Sequence, residues 1–181
     1  TDHTPGYGSA AKFIATAVKE LVCDSLVYDL ESVTIVEIMG RDAGWLTLNA
    51  GIGSGADVIL IPEIPYDLNK VAELIEERNR QGKRYSIIAC AEGAVAVDDI
   101  KLDEEASRRK RENSRHSTVS YEIADRLEKL TGKEARVTVP GHYQRGGPPC
   151  PYDRVLATQF GVAAADLIIN KQYGRMVAVQ G

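Results

Sequence analysis

Short apolar runs and longer stretches of helical periodicity alternate along the chain. The runs at 33–38, 57–61, 85–90, 136–139 and 176–179 are rich in Val and Ile and predict five strands. Most are continuous rather than alternating, the pattern of strands covered on both faces. Between them lie four stripes spaced for a helix. Phe13, Ile14, Ala17, Val18, Leu21 and Val22 form the first, and Val71, Leu74 and Ile75 the second. Val119, Ile123, Leu127 and Leu130 form the third, and Leu156, Phe160, Ala163 and Leu167 the fourth. Gly82 and Gly132 fall where a left-handed residue ends a helix. Repeated β–α alternation predicts an α/β fold, a three-layer sandwich with a largely parallel sheet.

Composition narrows the function classes. The 181 residues are 44% hydrophobic and 27% charged, enough apolar surface to offset ordering entropy, so disorder is excluded as the main state. The net charge of −4 gives no bulk attraction to nucleic acid or to an anionic membrane, and neither is expected as a partner. Only a local basic site could hold an anion. No apolar run is long enough to cross a bilayer, and residues 1–5 lack the basic and apolar regions of a secretory signal. Cys23, Cys90 and Cys150 lie far apart with no CxxC pair, which argues against a disulfide framework and a zinc site and predicts a cytoplasmic location. The segment 101–116 breaks the rhythm with Arg108, Arg109, Lys110 and Arg111 at its centre. It reads as a solvated charged insertion. A polyanion-binding patch is the weaker reading, because Asp103, Glu104, Glu105 and Glu112 cancel much of the field.

Candidate chemistry gathers after the strands. Gly51-Ile52-Gly53-Ser54-Gly55 precedes a strand, the reverse of a dinucleotide fingerprint, and reads as turn and close-packing glycines. No P-loop is encoded. Met39-Gly40-Arg41 leaves the run at 33–38, placing Arg41 at the strand edge where open α/β sheets bind ligands. Glu92 follows the run at 85–90, where a carboxylate can accept bonds from sugar hydroxyls or serve as a cap or ion-pair partner. Arg136 opens a strand that releases into His142 and Arg145, followed by Gly146-Gly147. Two arginines and a histidine near one strand end suit a phosphate monoester, because guanidinium forks match its geometry. The residues alone thus predict an α/β domain that binds a small phosphorylated polyol, with no Ser-His-Asp or Cys-His set.

These segments resemble the 6-phosphofructokinase family. The resemblance runs through residues 1–10, Val36-Glu37-Ile38-Met39-Gly40-Arg41, residues 56–63, Gly141-His142-Tyr143-Gln144-Arg145-Gly146-Gly147 and residues 152–158; the stretch 94–124 is matched least. It implies a phosphofructokinase-like fragment of a two-domain enzyme. The reaction implied is phosphoryl transfer to the 1-hydroxyl of fructose 6-phosphate, the step of glycolysis that yields fructose 1,6-bisphosphate. It also implies Mg2+ and ATP as donor, with pyrophosphate in one branch and a non-catalytic sugar-phosphate-binding relative as the alternatives. Met39 and Gly40 would line the sugar, and Glu92 would bind its hydroxyls. Arg136 and His142 would bind the 6-phosphate, Arg136 reaching from a neighbouring subunit of a homodimer or homotetramer. Tyr143 and Gln144 stand in the same substrate-binding turn, Arg145 contacts the sugar phosphate, and Arg41 is the catalytic cation nearest the transferring group.

The resemblance has gaps. The family's catalytic aspartate and its donor loop match nothing in residues 1–181, so the chain is expected to be partial, mainly the fructose 6-phosphate domain with flanking segments, and inactive by itself. Ser32 stands where bacterial ATP enzymes carry a second 6-phosphate arginine. Asp57 and Lys83 match bacterial effector positions, but Gln81 replaces a usual lysine, so the resemblance does not extend to allosteric control.

Overall fold

The structure, a computed structural model, describes residues 2–27, 30–100 and 118–180. The charged segment 101–116 therefore lies outside the described residues. Helix α1 (Tyr7–Ser25) leads into strand β1 (Ser32–Ile38), then α2 (Trp45–Ser54), β2 (Val58–Leu60), α3 (Leu68–Arg80) and β3 (Tyr85–Ala91). After the undescribed stretch come α4 (Val119–Thr131), β4 (Glu134–Thr138) and α5 (Pro151–Ile169). The four strands form one parallel sheet in the order β2-β3-β1-β4.

Central β1 is buried along its whole length, which is why its sequence does not alternate. Val33 and Ile35, with Ile88 and Cys90 of β3, pack against α3 and α4 through Val71, Ile75, Ile123 and Leu127. Val36 and Ile38, with Ile87 and Ala89, pack on the other face against Ile14 and Val18 of α1 and Ala50 of α2. Two helical layers thus sandwich the sheet, as the periodicity predicts.

Two expectations change. The run at 176–179 is not a strand: residues 175–180 carry no regular structure, although the Val179 carbonyl accepts the Asp2 N–H at 3.0 Å. A β-prone run becomes a strand only where a neighbour offers a ladder, and among the described residues none does. Gly51 and Gly53 lie inside α2 rather than in a turn, and Gly55 ends that helix at φ +76°. Gly51 is there for packing: a Cβ would stand 2.8 Å from the Ile59 side chain.

Because the strands are parallel and in register, their carboxyl ends coincide. Ile38 is paired with Ala91, so the segments leaving β1, β3 and β4 emerge along one edge. The chain runs outward from β1 to β2, returns to β3 beside β1, and then crosses to β4 on the other side. That reversal opens a crevice over the end of β1.

Candidate active site

A cleft of about 100 Å3 occupies this crevice. Glu37, Ile38 and Met39 of the β1 end form its floor, with Glu92 on one side and Val139, Gly141, His142 and Gln144 on the other. The sequence points to Met39, Glu92, His142 and Gln144. Glu37, Ile38, Val139 and Gly141 have no role assigned from the sequence, although a carboxylate interrupting the apolar run of β1 is a signal for Glu37.

Polar side chains shape the cleft by holding backbone. Gln144 is 2% exposed; its Oε1 accepts the Met39 N–H at 3.1 Å and its Nε2 donates to the Glu37 carbonyl at 3.5 Å. It fastens the turn after β4 to the end of β1. The Glu37 carboxylate is buried and accepts the Ser120 N–H at the start of α4 at 3.3 Å. A carboxylate there is favoured by the positive end of the helix dipole. Glu92 Oε1 accepts the Gly40 N–H at 3.3 Å, and Glu63 Oε1 accepts the Gly44 N–H at 2.8 Å. Gly40 has φ +153°, and a Cβ there would stand 2.7 Å from the Ala43 carbonyl oxygen, so the sharp exit from β1 requires glycine.

The cations differ from these groups. Among the described residues Arg41, His142 and Arg145 enter no ion pair. Arg41 lies in the exposed loop between β1 and α2, and His142 and Arg145 sit on a short 3-10 turn (Gly141–Arg145), both exposed. Neither arginine lines the cleft wall; nor does Tyr143, which is 73% exposed and meets Phe13 edge-on with ring centres 5.4 Å apart.

Arg136 is elsewhere. It lies opposite Thr34 in the β4–β1 ladder, and its guanidinium contacts Glu134 at 3.0 Å and Asp24 at 3.9 Å. The fold does not bring it to the cleft. Asp57, the candidate effector residue, is engaged by Arg78 at 2.7 Å and by the Ile87 N–H at 2.8 Å. The three cysteines are free, and burial pushes the Cys90 thiol up to about 12, with the nearby Glu37 adding to the shift. A thiol so held is no nucleophile at neutral pH.

The sequence matches the phosphofructokinase family over residues 1–168. The chain belongs to the phosphofructokinase family. It is 44% identical over 180 residues to the ATP-dependent 6-phosphofructokinase of Spirochaeta thermophila, an alignment covering 99% of this chain and 49% of that protein. The fold is similar to the crystal structure of Pichia pastoris phosphofructokinase in the T-state, with a TM-score of 0.73, 30% identity, and coverage of 99% of this chain and 19% of that one. It is also similar to the pyrophosphate-dependent phosphofructokinase of Marinobacter aquaeolei, with a TM-score of 0.72, 28% identity, and coverage of 94% and 41%. The chain spans about half the length of the curated relatives it matches. Phosphofructokinase membership accounts for the parallel sheet with helices on both faces.

Proposed function

We propose that this chain is the sugar-phosphate half of a 6-phosphofructokinase that makes fructose 1,6-bisphosphate from fructose 6-phosphate. The observation that carries this reading is the cleft at the end of β1, lined by Met39, Glu92 and His142, with Arg41 and Arg145 on the segments that leave β1 and β4 at the same edge and, among the described residues, in no ion pair. An anion supplies what these cations lack, and charge-assisted bonds of this kind contribute about 1.5–3 kcal/mol each. Glu92 offers its remaining lone pairs to sugar hydroxyls beside Met39 and Gly40, and His142, Tyr143, Gln144 and Arg145 form the turn that receives the phosphate.

In the reaction, the 1-hydroxyl oxygen attacks the terminal phosphorus of the donor, and the bond to the departing phosphate chain breaks. The hydroxyl proton passes to a base that, by the family resemblance, lies outside this chain. Arg41 offsets the negative charge spread over the transferring oxygens. ATP is the donor we assign, because relatives 41–44% identical across this chain carry that activity in their names. The fold neighbours of the pyrophosphate type keep that donor as the second reading. Among the described residues no group of three or more His, Cys, Asp or Glu side chains is placed to hold a metal ion, and Mg2+ would be held chiefly through the donor's phosphates, where it would offset their charge. No helix among them is long and apolar enough to cross a membrane, and three free cysteines fit a cytoplasmic enzyme.

The protein at full length, supplied with fructose 6-phosphate, Mg2+ and each donor in turn, is expected to form the bisphosphate with ATP. Absence of product with both donors overturns the kinase reading; binding of fructose 6-phosphate without turnover identifies a silent relative. Arg136 completes the 6-phosphate site of a neighbouring subunit in a homodimer or homotetramer. Mixing subunits carrying Arg136→Ala with subunits carrying His142→Ala puts both lesions in one site and leaves the other intact. Recovered activity is expected; no recovery in proven mixed oligomers rejects the shared site.

A further inference from the structure

We infer that Gly93 is a positioning residue for phosphoryl transfer, acting through the backbone of Arg41. The inference rests on the role assigned to Arg41 above, and it concerns what holds that residue where it is.

The loop from Gly40 to Gly44 has no regular structure, yet it is fixed at three points. The Gly93 N–H donates to the Gly40 carbonyl at 3.2 Å. Glu92 takes the Gly40 N–H and Glu63 takes the Gly44 N–H. Between these anchors the Arg41 peptide lies directly against Gly93. A Cβ on Gly93 would stand 1.9 Å from the Arg41 carbonyl oxygen, 2.6 Å from its carbonyl carbon and 2.9 Å from its Cα. No other glycine among the described residues meets backbone so closely.

Gly93 does not have a positive φ, so its conformation is open to any residue. Glycine is needed there for contact alone. An added methyl group would meet backbone, which cannot rotate aside as a side chain can. Since Cβ contacts essentially never fall under 3.0 Å, the Arg41 peptide would have to retreat by more than about 1 Å, or the 92–94 turn would have to lift. Either shift moves the guanidinium relative to Glu92, which neighbours Gly93 and grips the sugar. Reacting groups tolerate little error: displacement by about 1 Å can cost roughly 100-fold in rate. Gly93 thus sets the spacing between the residue that holds the sugar and the residue that meets the transferring phosphoryl group.

The test is a double-mutant cycle in the full-length enzyme, with kcat and the fructose 6-phosphate KM measured for Gly93→Ala, Arg41→Ala and the pair. Gly93→Ala is expected to lower kcat about 100-fold in the Arg41 background and less than about 3-fold once Arg41 is Ala, because the group it positions is gone. Equal losses in both backgrounds overturn the inference and leave the role of Arg41 standing. A normal kcat in Arg41→Ala overturns that role instead. Glu63 provides a gentler probe should Gly93→Ala not fold. Glu63→Ala, which removes the acceptor of the Gly44 N–H, is expected to lower kcat with its effect again confined to the Arg41 background. Glu63→Gln, which keeps an acceptor oxygen, is expected to restore most of it. A folded Glu63→Ala enzyme with unchanged kcat counts against a positioned loop.

Discussion

The two ends of the sheet use their charged side chains differently. At the amino end the charges are matched with one another. Lys133 meets Glu76 at 2.5 Å and Glu31 at 3.3 Å, Arg78 meets Asp57 at 2.7 Å, and Arg136 meets Glu134 and Asp24. At the carboxyl end the carboxylates take backbone N–H groups. Glu37 accepts from Ser120, Glu63 from Gly44, Glu92 from Gly40, and Asp153 of α5 from Ser9 in the first turn of α1. Among the described residues Arg41, His142 and Arg145 are left without carboxylates. Ion pairs at the amino end tie elements together and leave little charge for a ligand. Backbone anchoring at the carboxyl end fixes the loops without consuming the cations. The same residue types thus give a brace at one end and, among the described residues, cations without ion-pair partners at the other, decided by what each carboxylate is given to bind.

The largest test of this contrast is Arg41→Ala. Loss of a cation aimed at developing charge is expected to lower kcat by about 100- to 1000-fold, with a smaller change in the fructose 6-phosphate KM. Effects of equal size on binding and rate would show a plain substrate contact. Arg136 comes second because it is the amino-end charge to which the proposed function also gives a ligand. Arg136→Ala is expected to raise the fructose 6-phosphate KM roughly 30- to 150-fold with kcat nearly unchanged. An unchanged KM would return Arg136 to the bracing set with Glu134 and Asp24.

Gln144→Ala asks whether the carboxyl end depends on its backbone anchors. It strands the Met39 N–H and the Glu37 carbonyl, and a stability loss of about 1–3 kcal/mol is expected from the denaturant midpoint. Asp153 tests the same idea through pH. The hydrogen bond from Ser9 Oγ, joined by backbone N–H groups and opposed by burial, holds its carboxyl below the ordinary aspartate range. A depressed carboxyl stabilises the fold fully above its unfolded value, and the contribution fades as pH falls through the lower folded value. Asp153→Asn is therefore expected to cost about 1 kcal/mol near neutral pH, with its gap from the wild type narrowing as pH drops from about 5 toward 3. A gap that does not change over that range means the charge is not what Ser9 recognises. Lys133→Met is the smallest. Its carboxylate partners are about half exposed, so less than about 1 kcal/mol is expected, shrinking further with added salt.

Much of this was legible in the chain itself. The continuous apolar runs of β1 and β3 and the helical stripes ending at Gly82 and Gly132 gave the layers, because burial on both faces leaves no polar alternation. Three residues placed after strands, Arg41, Glu92 and His142, stand at the carboxyl edge of the sheet, because parallel strands bring all their carboxyl ends to one side. The run at 176–179 misled because apolar composition measures willingness to be a strand, while the partner that makes one lies at no fixed distance in sequence.

What the sequence alone determined is therefore local: most of the helices and strands, and which residue types stand where each strand ends. Pairing was decided only in three dimensions. Gln144 joins Met39 across 105 positions, Gly93 lies against Arg41 across 52, and Arg136 turns toward Asp24 rather than toward the cleft. The physical reason is that hydrogen bonds, ion pairs and steric contact act over a few ångströms of space. Once the chain folds back on itself, residue spacing no longer reports that distance.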